Sequence, residues 1–245
     1  MLALFLLLSL WEAAVAVFAI PGYLLPAPSK VFLSLITEFP FFAPHLLITL
    51  GETVLGILLA VALGVIIALL MHVWPFLDKA LSPLLVVSQT VPIVAVAPLL
   101  IIYLGFGLAP KIFTVVLMCF FPITISLKNA MTQMDANYKL LLKSMGAKRR
   151  HIILEAELPF AAAGFISGLK VSMTYAVTGA IVGEWLGSDG GLGYLLIRAK
   201  NAYMLDRVFA IIVLIILLSL MLFALCSALQ RLLLPYQFNS RRRWP

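Results

Sequence analysis

Charge is what this sequence has least of. Asp and Glu number 10 and Lys and Arg 17 in 245 residues, so 11% of side chains are charged while 64% are hydrophobic. So few ionic groups cannot cover the surface of a soluble domain, and a mean hydropathy of +1.14 places the chain among polytopic membrane proteins. Cysteine is nearly absent as well. Cys119 and Cys226 both sit inside apolar runs without metal-ligand spacing, which reads as two small core residues and not as a disulfide or zinc framework. His45, His72 and His151 are far apart in sequence, and no Ser-His-Asp or metal-ligand set stands out, so no catalytic and no metal residue is assigned. There is no G-x-x-x-x-G-K-[ST] loop, so the chain has no sequence for hydrolysing ATP, and the Gly-rich stretch Gly183 to Leu195 follows no strand that would make it a nucleotide site. The first apolar run has no Lys or Arg ahead of it and no clear cleavage site after it, which disfavours a secretory signal.

What is present is a series of long apolar runs. They predict an all-α polytopic membrane protein of one domain over residues 1–245, with six transmembrane helices: Met1 to Ile20, His45 to Val73, Leu84 to Leu104, Pro110 to Ala130, Ala161 to Trp185 and Arg207 to Leu234. Gly51, Gly56 and Gly64 in the second run have spacings suited to close helix packing. Between the runs, Ser29 is placed to cap a short helix, Trp74 to Ser82 reads as a turn or interfacial segment, and Gly105-Phe106-Gly107 as a tight turn. The third run holds Pro83, Pro92 and Pro98, which predicts a broken or kinked helix lining a cavity. A net charge of +7 could point to nucleic acid, but in such a chain it is topological. Six spans place Lys79, Lys128, Lys139, Lys143, Lys148, Arg149, Arg150, Arg231, Arg241, Arg242 and Arg243 on one side, against Lys30, Lys111, Arg198, Lys200 and Arg207 on the other. That bias predicts cytoplasmic termini.

The longest interruption of the apolar pattern lies at about 131–160. It predicts two short helices joined by an elbow. Asp135 caps the first, which ends near Met145, and Gly146 supplies a left-handed C-terminal residue. The second runs from Lys148 to Glu157 and should end near Leu158, because Pro159 disfavours helical geometry in the residue before it. The basic residues Lys148, Arg149 and Arg150 serve equally well as topology anchors touching lipid headgroups.

The elbow resembles the "EAA" loop of ABC importer permeases, whose pattern is E-A-A, three residues, G, nine residues, I-x-L-P. Gly146, Leu158 and Pro159 match in place. Leu140, Leu141 and Leu142 stand at the E-A-A positions and Ala156 at the isoleucine, so the family's acidic residue is absent. LPAPSKVF, VPIVAVAPLLIIYLGFG and GLGYLL extend the resemblance to the nitrate/sulfonate/taurine branch, and GAIVGEWLGSDGGLGYLL looks most like permeases for thiamine-precursor hydroxymethylpyrimidines.

The resemblance implies a multi-pass subunit of the bacterial inner membrane, paired with a second copy and driven by cytoplasmic ABC ATPase subunits that bind ATP and magnesium. The chain itself binds no cofactor and no nucleic acid. A solute would arrive on an extracytoplasmic binding protein and cross the bilayer by alternating access: a thiamine-precursor pyrimidine, or otherwise a sulfonate, taurine or nitrate-like ion. Leu140, Leu141, Leu142, Met145, Gly146, Ala147, Lys148, Leu158 and Pro159 would then dock on the ATPase. Gln89, Thr90, Pro92, Tyr103, Tyr175, Glu184 and Trp185 are candidates for the translocation path, and Gly183 to Leu195, flexible by glycine content, for an outer gate. Glu12, Glu52, Lys170 and Glu184 are functional candidates by position, since charge at bilayer depth is costly. An ion-coupled secondary transporter is the alternative, but it calls for paired broken helices and only one is found. The charge bias is testable in intact cells. A cysteine at Ser188 should react with an impermeant thiol reagent added outside, and one at Ser144 should not.

Overall fold

The computed structural model describes residues 2–234, which form helices and turns with no strand among them. Met1 and the tail arginines Arg241, Arg242 and Arg243 lie outside the described residues. The helices are α1 (Leu2–Val17), α2 (Pro28–Thr37), α3 (Phe39–Val73), α4 (Pro75–Thr90), α5 (Ile93–Leu104), α6 (Leu108–Thr132), α7 (Ala136–Ser144), α8 (Arg149–His151), α9 (Leu158–Trp185), α10 (Leu192–Asn201) and α11 (Leu205–Leu233). A π-helical stretch, Ile152–Glu157, joins α8 to α9, so one rod of 37 residues runs from Arg149 to Trp185.

Four helical rods are long and apolar enough to cross a membrane: α3, α6, α8–α9 and α11. Helices α4 and α5 qualify as a pair, bent by 102° where Pro92 lacks the donor that would continue α4. Helix α1 has 16 residues, or ~24 Å, which is short of the ~30 Å hydrocarbon core. Of the six expected spans, four are thus present by length and a fifth as the bent pair, while α1 falls short.

Contacts at the helix ends fix the directions. Thr49 of α3, Lys111 of α6 and Glu184 of α9 all meet at one end, through Thr49–Glu184 and Glu52–Lys111 contacts. His72 of α3 and Glu157 meet at the other, which is the elbow end. Helix α3 therefore runs toward the elbow, the bent pair returns to the far end, α6 runs to the elbow and α9 away from it. Helix α11 starts at the far end, where Arg207 pairs with Glu38 at 2.7 Å, and runs back past Lys170, whose ammonium stands over the Phe223 ring. Lys170 is thus stabilised by an aromatic face and not by a carboxylate.

Several local expectations change. Ser29 does not cap α2: Ala27 holds the N-cap position, and the Glu12 carboxylate of α1 accepts from both Ser29 N–H (3.0 Å) and Ser29 Oγ–H (2.7 Å). Glu12 therefore serves the orphan donors of a neighbouring helix. Trp74 to Ser82 is the start of α4 and not a turn, because Pro75 fits a first helical position. Pro159 does not end the second elbow helix. The wide π turn precedes the proline ring, and Leu158 N–H still donates, to Ile153 O, so the chain continues as helix. Cys119 and Cys226 are free and buried, as expected.

The core is α6 held between α3 and α9. A Cβ on Gly168 of α9 would stand 2.6 Å from Pro122 O of α6, so only glycine permits this approach. Hydroxyls bridge the same seam: Ser172 Oγ donates to Cys119 O at 2.8 Å and Thr114 Oγ1 to Gly179 O at 2.9 Å. Gly56 and Gly64 of α3 face Val115 and Ile123 of α6, whereas Gly51 faces open space. Gly168→Val should therefore lower the melting temperature of the detergent-solubilised protein, through overpacking of about 1–3 kcal/mol. Gly51→Ala should leave the melting temperature unchanged or raise it, through a stabilisation of up to ~1 kcal/mol. Equal melting of the two variants would remove close approach as the basis of the packing.

Candidate functional site

The elbow is built by two helix terminations. Asp135 Oδ1 accepts the Asn137 N–H at 2.9 Å and caps α7. At the other end Ala147 N–H donates to Leu142 O and Gly146 N–H to Lys143 O, both at 3.0 Å. This is a Schellman termination, and it needs the left-handed φ of +85° that Gly146 adopts. Nothing lies within 4 Å of a Cβ placed there, so the demand on residue 146 is on backbone geometry alone.

Along this elbow Leu140, Leu141 and Met145 are 61%, 53% and 75% exposed. Leu142, Ala147 and Leu158 are half-buried, and Lys148 and Pro159 are exposed. Apolar side chains are thus held outward on a rigid bend.

What holds the bend is Glu157, a residue the sequence pattern does not single out. It is buried, with Oε1 2.7 Å from Lys139 Nζ and Oε2 2.6 Å from His72 Nε2. Lys139 Nζ also donates to Met131 O at 3.3 Å, and Arg149 Nη2 donates to Val73 O at 2.9 Å. One carboxylate therefore ties α7 and the end of α3 to the start of α9. The signal available in sequence was a pair of acids, Glu155 and Glu157, just before Leu158-Pro159 in a loop rich in cations.

At mid-depth the bend between α4 and α5 opens a cavity of about 320 Å³. It brings together three of the proposed path residues, Gln89, Pro92 and Tyr175, with Ser88, Leu117 and Met118, and no charged side chain lines it. At the break Ala95 N–H donates to Pro92 O at 2.9 Å, and Ser88 Oγ–H donates to Leu85 O at 2.7 Å. Thr90 lies at the break, but its hydroxyl donates to Val87 O at 2.8 Å. Tyr103 projects at the end of α5, 82% exposed, and Trp185 is exposed at the end of α9; neither lines the cavity.

Glu184 is elsewhere too. It is buried at the far end, where Oε1 accepts from Thr49 Oγ1–H and Oε2 from Gly193 N–H, each at 2.6 Å. Leu192 N–H donates to Thr49 Oγ1 (2.8 Å) and Gly191 N–H to His45 Nδ1 (3.0 Å). The segment expected to be flexible by glycine content is instead pinned to α3, because its glycine amides are the donors these side chains need. Beside it, Glu52 and Lys111 pair at 2.7 Å, a bridge that opposite charges near the same ends of adjacent spans foreshadow.

Apolar spans, a sharply bent helix pair beside a cavity and an elbow with exposed apolar residues make up a polytopic membrane protein. The chain belongs to the family described as "Binding-protein-dependent transport system inner membrane component", which matches residues 60–235. It is 36% identical over 217 residues to a probable ABC transporter permease protein of Haemophilus influenzae, covering 89% of each chain. It is 35% identical over 234 residues to the formylaminopyrimidine transport permease protein ThiX of Halalkalibacterium halodurans, covering 95% of this chain and 93% of that one. Its fold is similar to a chain of the inward-facing MetNI methionine ABC transporter, with a TM-score of 0.69 at 18% identity, covering 80% of this chain and 98% of that one. The chain is an ABC importer permease subunit, a multi-pass inner-membrane protein and not an enzyme, from a family that works with a separate ATPase and a substrate-binding protein.

Removing Glu157 should loosen the elbow without unfolding the spans. Glu157→Ala leaves the Lys139 ammonium and the His72 ring without their shared carboxylate, at a cost of about 3 kcal/mol for a broken buried pair. Hydrogen exchange across α7 should rise while exchange in α6 stays the same. The double variant Glu157→Leu, Lys139→Met should regain much of the protection. Unchanged exchange in Glu157→Ala would mean that the carboxylate does not hold the elbow.

Proposed function

We propose that two copies of this chain form the passage of an importer for a thiamine-precursor pyrimidine or a related neutral heterocycle. The elbow and both termini face the cytoplasm, and the solute is delivered on the opposite side by a binding protein. The observation that carries the substrate reading is the cavity at the α4–α5 break. Its lining is uncharged, and the Gln89 amide and the Tyr175 hydroxyl on it can each donate and accept, which suits a heterocycle that does both. A sulfonate or nitrate would call for a cation there. The likeness to ThiX over nearly the whole chain supports the same substrate class.

Coupling is assigned to Leu140, Leu141, Leu142 and Met145, which dock in a cleft of the ATPase, with Gly146 and Ala147 setting the turn. Lys148, Leu158 and Pro159 flank that surface. ATP and magnesium stay on the ATPase, and its movement reaches the spans through Glu157.

The test is uptake into proteoliposomes holding the chain, its ATPase and its binding protein. Labelled formylaminopyrimidine should accumulate on addition of ATP, and taurine should not. Tyr175→Ala should reduce uptake about tenfold, as expected for a lost stacking and hydrogen-bonding contact of ~1.4 kcal/mol. Gly146→Val should cost about 1 kcal/mol or more in backbone strain and weaken ATPase pull-down while leaving insertion intact. Taurine uptake in place of the pyrimidine would overturn the substrate reading. Normal pull-down and normal uptake in Gly146→Val would overturn the coupling role.

A further inference from the structure

A groove at the elbow end is not used by the coupling surface or the cavity. It has a volume of about 440 Å³ and lies between the end of α3 and the first turns of the α8–α9 rod. Leu69, Val73, Ile153 and Leu154 form its walls, and Arg149 and Arg150 stand at it. No acidic residue lines it. Arg149 is engaged, donating to Val73 O at the C-terminal end of α3. Arg150 is exposed and has no ion pair or hydrogen bond among the described residues.

The groove continues an apolar face of α3. Leu55, Leu59 and Ile66 are exposed at helical spacing, and Leu69 and Val73 extend the same stripe. From Leu55 to Val73 the stripe is about 27 Å long, close to the ~30 Å of a hydrocarbon core. Trp74 follows at once and is 52% exposed, as befits a residue at the membrane–water boundary. An acyl chain lying on this stripe ends where Arg150 begins.

We propose that the groove is a binding site for an anionic phospholipid, with acyl chains against Leu69, Val73 and Leu154 and the phosphate on Arg150. The charge argues for this occupant. A free guanidinium beside an apolar wall matches a molecule with a negative head and an apolar tail, and clustered cations at the membrane boundary attract anionic lipid. A second copy of the chain or the ATPase would instead have to bring an acidic group joined to an extended apolar surface.

The probe is a photoactivatable phosphatidylglycerol, compared with the same lipid carrying a phosphocholine head, in nanodiscs holding the chain assembled with its ATPase. Cross-links are read by mass spectrometry on the peptide holding residues 149–154. Phosphatidylglycerol should label this peptide more than phosphatidylcholine does, and Arg150→Gln should cut that excess about fivefold. Leu154→Trp, which fills the groove but keeps both arginines, should also reduce labelling. A site on α11 serves as reference and should not respond to either variant. Equal labelling by the two lipids, or an unchanged excess in Arg150→Gln, would overturn the proposal. So would loss of labelling on adding inorganic phosphate, which would indicate a free-anion site. Cross-links from the groove to the ATPase or to a second permease copy in place of lipid would overturn it as well.

Discussion

In a bilayer, helices gain little by hiding apolar side chains from one another, because the lipid around them is just as apolar. Close approach and interhelical hydrogen bonds must then supply the cohesion, and the seam between α6 and α9 is where this chain provides both. Gly168 lets the two backbones meet, while Ser172 and Thr114 place hydroxyls on carbonyls across the seam. Helix α3 joins the same α6 through Gly56 and Gly64. Everything peripheral leans on this three-helix core: the bent pair α4–α5 borders the cavity on one side of it, and α11 packs along α9.

Apart from Lys170, midway along α9, the ionic groups of the core gather at its two ends. Glu52, Lys111 and Glu184 gather at one end, and His72, Lys139 and Glu157 at the other. Unpaired, each would be expensive at these depths; in contact with each other they act as specific fasteners. Their positions explain why so hydrophobic a chain retains any charge inside it. The cavity between the ends is uncharged, and the exposed apolar residues of the elbow are displayed by a clamp that is itself polar.

The long helices α3, α6, α9 and α11 were legible in the sequence, because apolar run length is a local quantity, whereas α1 falls short of a span and α10 stands where a connector was expected. Asp135 and Gly146 set the ends of α7 as their residue types require, and Pro92 breaks the third apolar run. Errors arose where a distant residue decides the local outcome. Ser29 reads as a cap, but the carboxylate that serves α2 belongs to Glu12, 17 residues earlier. Pro159 reads as a stop, but a π turn ahead of it absorbs the ring. The Gly-rich outer segment reads as loose, and its amides are held by Thr49 and His45 from a different helix. In the candidate cavity, Gln89, Pro92 and Tyr175 come together, while Tyr103, Glu184 and Trp185 lie elsewhere, because residue type alone carries no position. Glu157 escaped notice because its partners His72 and Lys139 are brought to it only by the folding of α3 and α7.

Helix α3 and the α8–α9 rod are antiparallel and joined at both ends, by His72–Glu157 and by Thr49–Glu184. The two joints are about 35 Å apart along α3 and about 40 Å apart along the rod. Two struts fastened by rungs at top and bottom cannot slide lengthwise past one another. Any tilt of one strut must therefore carry the other, so the far rung, with the glycine segment attached, swings in step with the near one. Any lengthwise give must lie outside the ladder, and the 102° break between α4 and α5 is outside it.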